Sequence, residues 1–180
     1  MSEMTLGLSA SAAGIAPERK RYYFDVSILK LIVMSTVTFN LYQIYWFYKN
    51  WRMAKERGED VIPFLRALFG VLFAYPLFKD IREQGRSASL VLVPSAGGLA
   101  FLFFLFQASW RLPDPAWLLG FLSVIPLAIV QADIAKLHRA LGLDPGINDR
   151  FTWQNILGVV LGGLWLVLMA IGLLLPEPAG

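Results

Sequence analysis

Histidine is the side chain best suited to move a proton near neutral pH, and this chain has one, His138. It lies in the charged stretch 133–138, which reads Asp-Ile-Ala-Lys-Leu-His. One histidine needs carboxylates beside it to hold a metal, and no paired carboxylates stand at ligand spacing. His138 is therefore expected as a solvated residue at a membrane interface. The chain has no cysteine. That removes disulfides, thiolate nucleophiles, thiolate-bound zinc and iron–sulfur clusters together. There is no HExxH, no GxSxG and no glycine-rich phosphate loop ending in Lys-Ser or Lys-Thr. The remaining acids are loop acids without a partner base. No catalytic residue, cofactor site or metal ligand is expected, and the chain does not read as an enzyme.

Polar side chains inside apolar stretches are the other candidates. Asn40, Gln43, Gln131 and Asn155 fall near or within such stretches, where a polar group is costly and often functional. Asn40 and Gln43 are three apart and share a helix face. Together with Gln131, Asn155 and Asp133 they could line a polar pathway. The commoner role for such residues is hydrogen bonding between helices, at about 0.6 kcal/mol per bond. Asp133 closes its apolar stretch, where it could relay a proton or pair with Lys136 at i, i+3. Gly158 and Gly162 form a GxxxG motif, whose small residues let another helix approach closely. They are read as a helix-packing surface, and Trp165 on the same helix is expected to pack inside.

Five apolar stretches must position these residues. A spanning helix needs about 20 apolar residues. Residues 90–109, 115–132 and 154–175 meet that need without an internal charge and read as transmembrane helices. Pro113-Asp114-Pro115 cannot continue a helix, so the first two form a hairpin. Residues 28–48 contain Asn40 midway, and residues 61–78 contain Arg66 and Pro76. Each of these two either spans or is re-entrant. Several apolar stretches run into a charged turn that stops at Gly, namely Gly58, Gly85 and Gly142, a helix C-terminal signal.

The first stretch reads Ser35-x-x-Thr38-x-Asn40-x-Tyr42-x-x-Tyr45-Trp46, then Tyr48-Lys49-Asn50-Trp51. It resembles a family of uncharacterised bacterial inner-membrane proteins catalogued only as a domain of unknown function. Their first membrane segment carries a Thr-x-Gly-x-Tyr-x-x-Tyr-Trp core. Here Asn40 stands where Gly is usual, and Asn is the next residue type to tolerate a left-handed backbone. Residues 151–155, Phe-Thr-Trp-Gln-Asn, are also similar. The resemblance covers most of the chain and implies a bacterial inner membrane. It implies no activity and no catalytic residue.

Composition agrees with lipid as the solvent. Of 180 residues, 57% are hydrophobic and 16% charged, against about a quarter charged in soluble domains. The mean hydropathy is +0.57 and the sequence pI about 9.3. The basic residues flank apolar stretches, so they point to anionic headgroups rather than nucleic acid. Residues 1–16 have no basic start and no apolar core, so they do not read as a signal peptide. The expected layout is a flexible tail over 1–24, one helical membrane domain over 25–176 and a short tail over 177–180.

The Lys/Arg bias of short loops allows three arrangements of the first two stretches: both cross, only the first crosses, or both are re-entrant. All three place 79–89 and 136–150 in the cytoplasm, and Arg111 and the C-terminus outside. The whole reads as an all-α polytopic membrane protein, a non-catalytic accessory, assembly or scaffold protein acting by helix–helix contacts. The alternative is a small transporter or channel using the intramembrane Asn and Gln residues. Its partners would be the bilayer and, through the last helix, another membrane protein or a second copy.

Overall fold

In the computed structural model, which describes residues 21–92, 95–143 and 148–174, every regular element is helical. The first apolar stretch folds as two helices, α1 (Ile28–Val37) and α2 (Leu41–Glu56). Ser27 caps α1, its hydroxyl accepting from the Lys30 N–H at 3.3 Å. Thr38 serves both helices. Its hydroxyl donates to Met34 O at 2.6 Å and accepts from the Tyr42 N–H at 3.0 Å. Between them Phe39 and Asn40 are left-handed, with φ of 50° and 66°. The break expected at Asn40 thus includes Phe39, where a side chain in that region costs about 1–2 kcal/mol. The Asn40 N–H donates back to Ser35 O at 2.7 Å and closes the turn.

The break returns the chain to the end it came from. The Phe24 N–H, before α1, donates to Asn50 Oδ1 near the far end of α2, at 3.1 Å. Arg57, just past α2, pairs with Asp80 at 2.7 Å. The Tyr23 hydroxyl reaches the same carboxylate at 2.8 Å. Burial and that carboxylate push the Tyr23 hydroxyl well above the ordinary tyrosine range, so it remains a donor. Tyr23 and Phe24 are buried. They belong to the packed domain, which corrects the boundary drawn at residue 24. Residues 1–20 and 175–180 lie outside the described part.

The second stretch is also two helices, α3 (Pro63–Leu68) and α4 (Gly70–Ser87). Pro63 suits a first helical position, and Phe69 separates the pair. Ala74, Leu77, Phe78 and Ile81 are buried, while Phe64, Leu68, Phe69 and Leu72 are exposed. The exposed row is as apolar as the buried one.

α5 (Ala96–Ala108) starts at Ser95, whose hydroxyl accepts from the Gly98 N–H at 3.1 Å. It has 13 residues, about 20 Å at 1.5 Å per residue. The crossing expected over 90–109 is therefore a shorter helix, because Leu90 and Leu92 fold back on α4 at Gly85. Gly85 marks that fold: a Cβ there would meet Leu92 Cδ1 at 2.6 Å. A turn at Ser109–Arg111 and a cis Asp114–Pro115 bond lead into a 3-10 helix, Ala116–Ser123, which runs on into α6 (Val124–Ala140). α7 (Trp153–Leu174) follows.

Two helical rods among the described residues are long and apolar enough to cross a membrane, Ala116–Ala140 and Trp153–Gly172. The first is half buried in the bundle. The most apolar window of the second is not buried at all; α7 packs chiefly on α1. Trp165, expected inside, is 62% exposed. Gly162 meets α1 at Val37, the last residue of that helix, so Trp165, three residues further along α7, lies beyond the end of α1.

Candidate functional site

Two buried polar clusters occupy the two ends of the bundle. The first is built at the break between α1 and α2. Asn40 Nδ2 donates to Gly120 O and to Ser123 Oγ, both at 2.9 Å. Gln43 Nε2 donates to Asn40 Oδ1 at 2.9 Å and to Ser123 Oγ at 3.0 Å. Gln107 of α5 donates to Gln43 Oε1 at 2.9 Å. Ser123 hands its own proton to Gly120 O at 2.7 Å. Gly120 must be glycine, since a Cβ would lie 2.5 Å from the Trp110 ring. That ring stacks on Trp117 at 5.6 Å, beside the Arg111 turn.

Asn40 and Gln43 therefore do share a face, but their amide groups are used by α5 and the 3-10 helix. A groove of about 420 Å³ runs past them, lined also by Phe47, Phe103, Gln107 and Trp110. Ser123 accepts two bonds and donates a third. Ser123→Ala should leave two buried amide donors short of a partner and cost about 1–2 kcal/mol. Detergent melting curves would measure it. A loss below about 0.3 kcal/mol would mean that water already competes at this site.

The second cluster lies at the charged end. Trp46 Nε1 donates to Gln131 Oε1 at 2.8 Å. Gln131 Nε2 reaches Asp25 Oδ1 at 3.4 Å, and His138 Nδ1 lies 3.2 Å from Asp25 Oδ2. Arg21 pairs with the same carboxylate at 3.2 Å. Next to this group Arg82 Nη2 meets Asp133 Oδ2 at 3.0 Å, and Lys136 meets Asp133 Oδ1 at 3.2 Å. The Asp133–Lys136 pair matches the spacing argument, and Arg82 is its unforeseen third member.

His138 is fully buried, which corrects the expectation of a solvated interface residue. α6 continues two turns beyond the apolar stretch, and Asp25 lies against that face. The spacing held the clue. Val130, Ile134 and Leu137 are buried, and His138 falls four residues after Ile134 on the same stripe. Its Nε2 has no hydrogen-bond partner. A buried imidazole on a carboxylate can hold or pass a proton. Among the described residues no three histidine or acidic side chains gather as a metal site.

Asn155 belongs to neither cluster. With its amide oxygen turned toward Lys30 it accepts from that ammonium at 3.0 Å. Lys30, itself only 2% exposed, also donates to Asn148 Oδ1 and to Arg150 O, at 3.0 and 2.9 Å. These bonds anchor the start of α7 to α1. The five residues singled out as one polar pathway thus fall into separate places. Asn40 and Gln43 sit at one end, Gln131 and Asp133 at the other, and Asn155 at the foot of α7. Asp25, Arg82, Gln107 and Ser123 complete these sites and had no motif to mark them. No protein-family model matches the chain, and no curated protein or solved structure matches it either.

Proposed function

We propose that the chain is a polytopic protein of a bacterial inner membrane, a non-catalytic accessory, assembly or scaffold protein working through helix–helix contacts. The observation that carries this reading is α7. It is a 22-residue apolar helix fastened along one side, to α1, with most of its surface uncovered. Such a helix is soluble only in lipid or against another apolar helix. The polar groups support the same reading, because they hydrogen-bond to one another and define packing. The second reading, a small transporter or channel, draws on the groove beside Asn40, Gln43 and Gln107.

The arrangement that fits the contacts best is the one with both early stretches re-entrant. A crossing by 28–48 would separate Phe24 from Asn50, its hydrogen-bond partner, and a crossing by 61–78 would put Arg57 on the opposite side of the membrane from Asp80, its ion-pair partner. With a re-entrant first stretch, Lys49, Arg52, Lys55 and Arg57 join Lys79, Arg82 and Lys136 at one end. The Lys/Arg bias then makes that end cytoplasmic and leaves Arg111 outside. The C-terminus follows outside if α7 crosses, though residues 175–180 are not described.

The native chain has no cysteine, so single introduced cysteines can be labelled with an impermeant thiol reagent in intact cells. Arg111→Cys and Pro178→Cys should label, and Lys55→Cys and Gln84→Cys should not. Labelling of Lys55→Cys would reinstate the arrangement in which both early stretches cross. The reverse pattern throughout would invert the sidedness. Co-purification in mild detergent and flux into proteoliposomes of the pure chain separate scaffold from transporter. A stable partner without flux favours the first, and flux without a partner the second.

A further inference from the structure

We infer that the cleft between α4 and α5 binds a phosphate group, and that an anionic phospholipid of the cytoplasmic leaflet is its fitting source. This inference rests on the membrane reading above. The cleft has a volume of about 770 Å³, and Lys79, Arg82 and Arg86 line it against one acid, Glu83. Lys79 and Glu83 are exposed and 3.6 Å apart, a pair that contributes little. Arg86 is exposed and has no ion pair among the described residues.

The opposite wall is the first turn of α5, with Ser95, Ala96 and Gly97. Ser95 already satisfies the Gly98 N–H. The N–H groups of Ala96 and Gly97 are among those a helix start leaves without an intrahelical acceptor, and they favour an anion. Gly97 adds no side chain to shield them.

A second observation is independent of the helix end. Arg82 is 8% exposed, with Nη2 held by Asp133 and Nε buried without a partner. Asp133 is shared with Lys136, so the buried carboxylate is matched by two cations. The site carries an excess of positive charge at its floor.

The surroundings choose the lipid. Tyr75 lines the cleft, Leu72 stands three residues before it on α4, and Phe101 and Phe104 follow Gly97 at four and seven residues on α5, at the spacing of one helix face; all four are exposed large apolar residues. They offer an apolar track leading away from a basic pocket, which suits acyl chains below a phosphodiester. A free phosphate ion would use the pocket and leave the track empty.

The test uses the full chain in mild detergent, with bound molecules counted by native mass spectrometry. The probes are phosphatidylglycerol, phosphatidylcholine and inorganic phosphate. Phosphatidylglycerol should be retained in preference to phosphatidylcholine. At about fivefold per basic residue, the Lys79→Gln/Arg86→Gln double variant should weaken that retention by about 30-fold. Arg52→Gln/Lys55→Gln removes the same charge from exposed positions on α2 and should change it little. Inorganic phosphate that competes through Lys79 and Arg86, with no preference between the lipids, would assign the site to a soluble phosphate. Equal retention by the two double variants, or none by the native chain, would overturn the site. Carbonate washing of membranes separates the premise from the inference. A chain that stays in the washed membrane yet shows no anion preference refutes the cleft alone. A chain released by carbonate refutes the membrane reading and the lipid source, and the phosphate arm then decides the rest.

Discussion

Gly162→Leu is expected to detach α7 from α1, at a cost of about 3 kcal/mol or more, while Gly158→Ala is close to neutral. The two glycines form one motif, but the structure treats them differently. A Cβ on Gly162 would lie 2.0 Å from Val37 O, 2.8 Å from Val37 C and 2.9 Å from Val37 Cβ. Two of those atoms are backbone, which cannot rotate aside, so the helices must separate or slide. Overpacking of this kind costs about 1–3 kcal/mol and sometimes more, and here it acts on the main contact that α7 has. A Cβ on Gly158 would meet only Met34 Cε, at 3.7 Å. That is ordinary contact with the free end of a flexible side chain. The helix propensity of Ala over Gly, about 1 kcal/mol, offsets any remaining strain. Melting in mild detergent compares the two directly. If Gly158→Ala is the more damaging, α7 sits on α1 in a different register.

Much of the fold could be read from the chain, and the failures share one cause. Helical stretches, the Pro113–Pro115 turn and the break near Asn40 follow from local rules about apolar length, proline and left-handed backbone. The clusters do not, because they depend on which faces meet. His138 looked solvated since its neighbours in sequence are charged, yet Asp25, 113 residues away, covers it. Trp165 looked like a core residue since it is large and central in an apolar helix. In a membrane segment that argument has no force, because lipid accepts a large apolar side chain as readily as the core does. Gln107 and Ser123 were invisible for the opposite reason. One amide or hydroxyl in an apolar stretch gives no pattern until the break at Asn40 brings its partners to it.

The largest asymmetry expected among the charged residues lies in the Arg82–Asp133–Lys136 triad. Arg82 and Asp133 are buried, with side-chain exposures of 9% and 2%, whereas Lys136 is half exposed. Removing one member of a buried pair costs about 3–5 kcal/mol, because it leaves a charge without compensation. Asp133→Leu should fall in that range, since Arg82 then has no carboxylate within reach. Arg82→Met should cost less, because Lys136 still meets Asp133 at 3.2 Å. The double variant Arg82→Met/Asp133→Leu replaces the pair with apolar volume. It should recover most of the loss, as buried pairs often contribute little net stability over a packed apolar replacement. Denaturation midpoints of the three variants in one detergent give the cycle directly. The decisive quantity is the coupling between the two positions. A coupling near zero would mean that water reaches the pair and that α4 and α6 are held together by apolar packing in the shared core. A coupling of several kcal/mol would place a dry ion pair at the floor of the cleft, and would explain why the charged end of α4 stays folded against a helix long and apolar enough to cross a membrane.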